Sequence, residues 1–135
     1  MNFILHQLAI GNYGEALVPP ANISGLLNVA TETDLHHTRL LYHKIPIVDM
    51  RPIPSEQMKE AVEWIRDQIP RHTIMVFCNA GIGRSPSVVI GYLCCILGYG
   101  FGEAVEFVAR RKSDISILPD LIKTIEAATA VLSVR

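Results

Sequence analysis

The sequence predicts an α/β domain in which a mainly parallel central sheet is flanked by helices. Three observations carry that expectation. Short apolar runs alternate along the chain with segments of helical periodicity, the pattern of parallel strands joined by helices. The chain has 135 residues with no repeat, low-complexity tract or charged linker, so residues 1–135 are expected to form a single compact domain. Half of the residues are hydrophobic and 19% are charged, which supplies a core and argues against disorder.

In chain order, residues 8–10 form a short apolar run before Gly11 and are the weakest strand candidate. Residues 25–30 and 74–78 are denser apolar runs of strand length, as expected of strands buried on both faces. Another strand is expected within residues 40–48. Ser55 begins a helix: Met58, Ala61, Val62, Ile65 and Ile69 recur at helical spacing, Glu56 suits the first turn and Pro70 ends it. Trp64, beside Ala61 and Ile65, is expected to be partly core.

A second helix follows Pro86 and carries Cys94 and Cys95 as buried packing residues. A third covers about 102–112, with Arg110, Arg111 and Lys112 at the end where the helix dipole favours cations. A fourth starts near residue 119, capped by Asp120, and runs almost to the chain end. Residues 85–102 are 18 in number and carry no charge, but their glycines, serines and Pro86 read as a core helix rather than a membrane span.

Twelve Lys+Arg against thirteen Asp+Glu leave a formal charge of -1, so there is no global field for nucleic acid or an anionic membrane. Neither is expected as a partner, and any bound anion must be gripped locally. The three cysteines are too few for a disulfide scaffold and lack the paired spacing of a zinc site. His36-His37 has no third ligand beside it, so no metal and no cofactor are expected. Residues 1–6 lack the basic stretch and cleavage site of a signal peptide, and a cytoplasmic location is expected.

In open α/β sheets the ligand site lies beyond the carboxyl ends of the strands, which points to Cys78. The segment Cys78-Asn79-Ala80-Gly81-Ile82-Gly83-Arg84-Ser85 follows a predicted buried strand and runs into a helix whose first turn accepts Pro86. Glycines let backbone N–H groups of residues 79 to 84 turn toward one point, and the helix N-terminus adds positive potential. The result is an oxyanion cradle of phosphate size, to which Arg84 adds a planar fork. Cys78 at its floor is a nucleophile favoured as thiolate. Two plainer readings stand beside this one: a buried core cysteine, and a loop that binds phosphate without breaking it.

The segment resembles the cysteine-dependent protein tyrosine phosphatases, most closely their small dual-specificity branch, whose loop often reads Cys-x-Ala-Gly-x-Gly-Arg-Ser. Cys78, Ala80, Gly81, Gly83, Arg84 and Ser85 match. Residues 25–30 look like the family's second conserved strand, residues 45–49 like the segment carrying its general acid, and residues 111–119 like the turn before its last helix. The resemblance covers about residues 7–132 and implies the phosphotyrosine protein phosphatase-like fold, with the phosphate-binding loop between a strand and a helix. It implies that Cys78 attacks phosphorus and that Arg84 with Asn79, Ala80, Gly81, Ile82 and Gly83 holds the phosphate oxygens. Asp49 would serve as general acid and base, and Ser85 would hydrogen-bond the sulfur. The implied substrate is a phosphorylated protein or peptide, hydrolysed through a cysteinyl-phosphate intermediate without a metal.

Asp49 is expected to end a strand just before the Pro-bounded segment 50–54, at the carboxyl edge of the sheet; Asp114 and Asp120 are the alternative acids. Two other classes compete: a catalytically impaired phosphate-binding module (a pseudophosphatase), and a sulfurtransferase, in which Asp49 and Ser85 would have no work. Cys94 or Cys95 is a candidate disulfide partner for oxidised Cys78.

One departure from the family is Phe77, where the family has His before the nucleophile. Phenylalanine donates no hydrogen bond, so the loop network that keeps the sulfur ionised is weakened. Turnover of a small aryl phosphate is therefore expected to rise from neutral to mildly alkaline pH, and Phe77→His to raise the rate at neutral pH. A pH–rate profile of the two proteins checks this, and superimposable profiles would contradict it.

Overall fold

The structure is a computed structural model and describes residues 1–132. Its strands are β1 (Asn2–Leu5), β2 (Leu8–Asn12), β3 (Gly25–Asn28), β4 (Leu41–Lys44) and β5 (Ile74–Cys78). Its helices are α1 (Tyr13–Leu17), α2 (Ser55–Gln68), α3 (Arg84–Cys95), α4 (Phe101–Arg111) and α5 (Leu121–Ala130). The sheet order is β1-β2-β5-β3-β4, with every neighbouring pair parallel except β1 against β2. The mainly parallel sheet read from the sequence is therefore present, with one antiparallel edge.

Alternation along the strands divides the apolar residues between the two faces. Ile10, Leu27, Val76 and Cys78 belong to the larger core, which also contains Met58, Ala61, Val62 and Ile65 of α2 and Val88 and Val89 of α3. Ala9, Leu26, Met75 and Phe77 face the other way, toward Ala16 and Ile23. Strand β5 lies between β2 and β3 and is buried along its whole length, as its unbroken apolar run requires. α2 and α3 approach closely at Gly91, where an added Cβ would fall 2.3 Å from the Met58 sulfur.

Several local expectations are corrected. β1 and α1 were not legible: β1 is a short edge strand, and α1 is a five-residue helix held by a capping box between Asn12 and Glu15. The strand expected within 40–48 stops at Lys44, and Asp49 lies past its end in a turn. Ile45 N–H still donates to Asn28 O at 2.8 Å, but Pro46 has no N–H to continue the ladder. α3 begins at Arg84, with Pro86 inside its first turn, where no N–H is needed.

Asp120 precedes α5 but makes no side-chain cap bond, because its backbone is left-handed (φ 54°) rather than extended. Cys94 and Cys95 are half-buried rather than buried, since the last turn of α3 emerges from the core beside α5. Trp64 is half-buried and stacks on His43, with ring centroids 5.6 Å apart. Among the described residues no helix is long and apolar enough to cross a membrane.

Leu27, fully buried in β3, reports on the larger core. Leu27→Ala is expected to cost about 2–5 kcal/mol, read as a lower urea midpoint with an unchanged slope.

Candidate active site

The loop of residues 79–83 carries the chain from the end of β5 into α3. Gly81 has φ +77°, and a Cβ there would stand 2.8 Å from the Gly11 carbonyl oxygen, so only glycine fits. Gly83 is confined as well: an added Cβ would lie 3.3 Å from Ser116 O and 3.4 Å from Asp49 Oδ1. Three of the loop carbonyls are tied to neighbouring segments: Asn79 O accepts from Tyr13 N–H (3.2 Å), Ile82 O from Ser116 N–H (2.9 Å) and Gly83 O from Ser87 N–H (3.0 Å). Among the described residues the N–H groups of 79–83 have no backbone acceptor, the condition an anion-binding loop requires.

Cys78 is 2% exposed, and its Sγ lies 3.2 Å from Ser85 Oγ. Arg84 is equally buried. Its Nη1 donates to Glu32 Oε1 at 2.7 Å and to Ile47 O at 3.1 Å, while Nη2 donates to Glu32 Oε2 at 2.5 Å. Among the described residues its Nε has no hydrogen-bond partner; Asp49 Oδ1 lies 3.7 Å away, too far for a hydrogen bond. The guanidinium is thus anchored on one side and keeps an unpaired N–H on another. Its hydrogen bond to Glu32 holds Arg84 above the usual arginine range. The same bond, opposed by desolvation, lowers Glu32 from 4.5 to about 2.

Asp49 is half-exposed and accepts from Met50 N–H at 2.9 Å. Asp49, Cys78 and Arg84 line one cavity of about 460 Å³, together with Ile82, Ser116 and Ile117. The structure therefore brings together Cys78, Arg84, Asp49 and the loop, with Ser85 against the sulfur. The alternative acids do not line that cavity. Asp114 pairs with Lys112 at 2.6 Å.

Cys94 and Cys95 sit at the opposite end of α3, about 15 Å along the helix from Arg84, so a disulfide with Cys78 is out of reach. His36 and His37 line a separate hollow with Tyr13 and Leu40. Phe77 packs among Ala9, Ala16 and Leu26 on the face of the sheet opposite Cys78, so any influence on the sulfur passes through the backbone.

Glu32 is the site residue that sequence reasoning missed. Asn28, buried at the end of β3, holds the turn that presents it. Its Nδ2 donates to Thr33 O (2.6 Å), and its Oδ1 accepts from Ala30 N–H (3.0 Å) and Thr33 Oγ1 (2.9 Å). A polar amide inside the apolar run 25–30 was the available signal.

A family model described as "Dual specificity phosphatase, catalytic domain" matches residues 11–129. The chain belongs to that family. It is 32% identical over 100 residues to dual specificity protein phosphatase 5 of Rattus norvegicus, covering 70% of this chain and 26% of that protein. It is 36% identical over 98 residues to dual specificity protein phosphatase 4 of Homo sapiens, covering 70% of this chain and 25% of that protein. The chain thus spans about a quarter of the length of these relatives.

Among solved structures, human tyrosine phosphatase-like serine/threonine/tyrosine-interacting protein superimposes with TM-score 0.83 at 21% identity, covering 97% of this chain and 96% of that one. DUSP15 gives TM-score 0.83 at 20% identity, covering 96% and 86%. Both share the fold described above.

The ion pair has a pH signature. Glu32 has a lower pKa folded than unfolded, so its contribution is complete above about pH 4.5 and is lost as pH falls toward about 2. Because Glu32 is half-exposed, the contribution is damped by solvent. The melting temperature of the parent protein is expected to fall over that window more steeply than that of Glu32→Gln. Parallel curves would show that the pair contributes nothing to stability.

Proposed function

We propose that the chain is a metal-independent phosphomonoester hydrolase, a cysteine-dependent protein phosphatase acting on phosphotyrosine and, less readily, on phosphoserine and phosphothreonine. The observation that carries this reading is one buried thiol beneath free loop amides, flanked by an arginine with an unpaired N–H and a carboxylate at the rim.

In the first step the Cys78 thiolate attacks phosphorus and an S–P bond forms. The bond from phosphorus to the ester oxygen breaks, and Asp49 gives that oxygen its proton. The loop amides and Arg84 Nε take the charge that develops on the equatorial oxygens. In the second step Asp49 removes a proton from water, whose oxygen attacks phosphorus. The S–P bond breaks, and the departing thiolate accepts a hydrogen bond from Ser85 Oγ, already 3.2 Å away. Glu32 keeps the guanidinium from swinging out of the cradle. A reducing compartment such as the cytoplasm would keep Cys78 in the thiol state this chemistry needs.

The second reading, a module that binds phosphorylated partners without turnover, is favoured by one observation: Phe77 stands where the family has histidine. The two readings part on one assay. Hydrolysis of a small aryl phosphate is expected, abolished by Cys78→Ser and slowed about 10²–10⁴-fold by Asp49→Ala. Undiminished hydrolysis in Cys78→Ser would overturn the mechanism. Phosphopeptide binding with no hydrolysis at any pH would make the chain a binding module.

A further inference from the structure

The mouth of the cavity is as informative as its floor. Met50 is 83% exposed, Ile82 38% and Ile117 39%, and all three line the cavity that holds Cys78. Large apolar side chains left this open around one hollow mark a contact surface rather than scattered surface hydrophobes. Met50 is presented unusually. Its backbone is left-handed (φ 61°), uncommon for a residue with a side chain, and the turn is held by its N–H donating to Asp49 Oδ1. One turn therefore sets both the rim carboxylate and the apolar wall beside it.

The charges around this mouth are as sparse as its apolar groups are dense. Asp49 and Arg84 are the charged residues that line the cavity, and Arg84 is bound to Glu32. Other cations of the region are committed elsewhere: Lys112 to Asp114, Arg110 to Glu106, and Arg111 over the Phe107 ring at 3.6 Å. Arg51, next to Met50, does not line the cavity. A second anionic group close to the scissile phosphate would meet an apolar wall and a carboxylate, and among the described residues lining the cavity no cation besides Arg84 to receive it.

We propose that Met50, with Ile82 and Ile117, is the specificity-determining wall of this site. It selects a phosphorylated aromatic residue whose neighbours in the polypeptide are apolar, and disfavours substrates carrying further negative charge beside the phosphate. This rests on the phosphatase reading above and narrows its substrate class. A polyanionic lipid headgroup fits poorly for the same reason, so the occupant is a peptide segment rather than a membrane.

The test uses two phosphotyrosyl peptides that differ only in their flanking residues, Leu and Val in one, Asp and Glu in the other. The parent protein is expected to favour the apolar peptide about tenfold in kcat/KM, the worth of burying one or two methylene groups, with the difference mainly in KM. Met50→Lys, at an exposed position where folding is not at stake, is expected to erase or reverse that preference, and Met50→Leu to retain it.

A parent ratio near one, or a ratio unmoved by Met50→Lys, overturns the proposal while leaving the phosphatase reading intact. More efficient hydrolysis of phosphatidylinositol monophosphate in phosphatidylcholine vesicles than of the apolar peptide also overturns it. If nothing is hydrolysed, the phosphatase reading fails instead. The wall is then judged by calorimetric affinities of the same two peptides for Cys78→Ser, with and without Met50→Lys. The apolar peptide must bind more tightly, and the gap must close in the double variant.

Discussion

Withdrawing the guanidinium of Arg84 from water is costly unless ion pairing and hydrogen bonding offset it, and the surrounding structure is organised to supply both. Glu32 comes from the turn after β3, the Ile47 carbonyl from the segment after β4, and Asp49 from the turn beyond that. Two separate stretches, one carrying Glu32 and one carrying Ile47 and Asp49, are thereby brought to the N-terminus of α3. Among the described residues these bonds use both N–H groups of Nη1 and one of Nη2, which leaves Nε–H and the second Nη2–H unpaired. Such a free edge suits the anion-binding role proposed for Arg84, with a geometry more specific than that of a free surface lysine.

The sheet determines where that receptor stands. β5 is paired on both sides, so its carboxyl end, and with it Cys78, is rigidly placed. β2 and α1 contribute from one side: Gly11 of β2 comes so close to Gly81 that no side chain can intervene, and the Tyr13 N–H at the start of α1 donates to the Asn79 carbonyl. From the other side Ser116 takes up the Ile82 carbonyl, and Ser87 Oγ fixes Leu118 N–H. With three of its carbonyls tied to neighbouring segments, the loop is held in place while, among the described residues, its N–H groups have no backbone acceptor. Such preorganisation is what electrostatic stabilisation of a phosphoryl group demands.

The central strands, α2 and the loop were legible because each has a strong local signal. Residues 74–78 are an unbroken apolar run, α2 repeats its apolar residues at helical spacing, and Gly81, Gly83 and Pro86 mark a strand-to-helix turn. Less legible features depend on tertiary context. Glu32 looks like any surface acid until Asn28 folds the turn that carries it under Arg84. β1 and α1 are too short to show a period. The strand expected up to residue 48 ends at Lys44 because Pro46 interrupts its ladder, yet Asp49 still lines the cavity from the turn beyond. Asp120 has the residue type of a helix cap but the wrong backbone conformation for one.

If Arg84 and the loop amides receive a tetrahedral oxyanion above Cys78, the site must bind one in the absence of chemistry. Calorimetric titration of the Cys78→Ser protein with tungstate tests it without requiring any turnover. One saturable site is expected, lost when Arg84→Ala is added. Failure to saturate, or binding indifferent to the loss of Arg84, would contradict it.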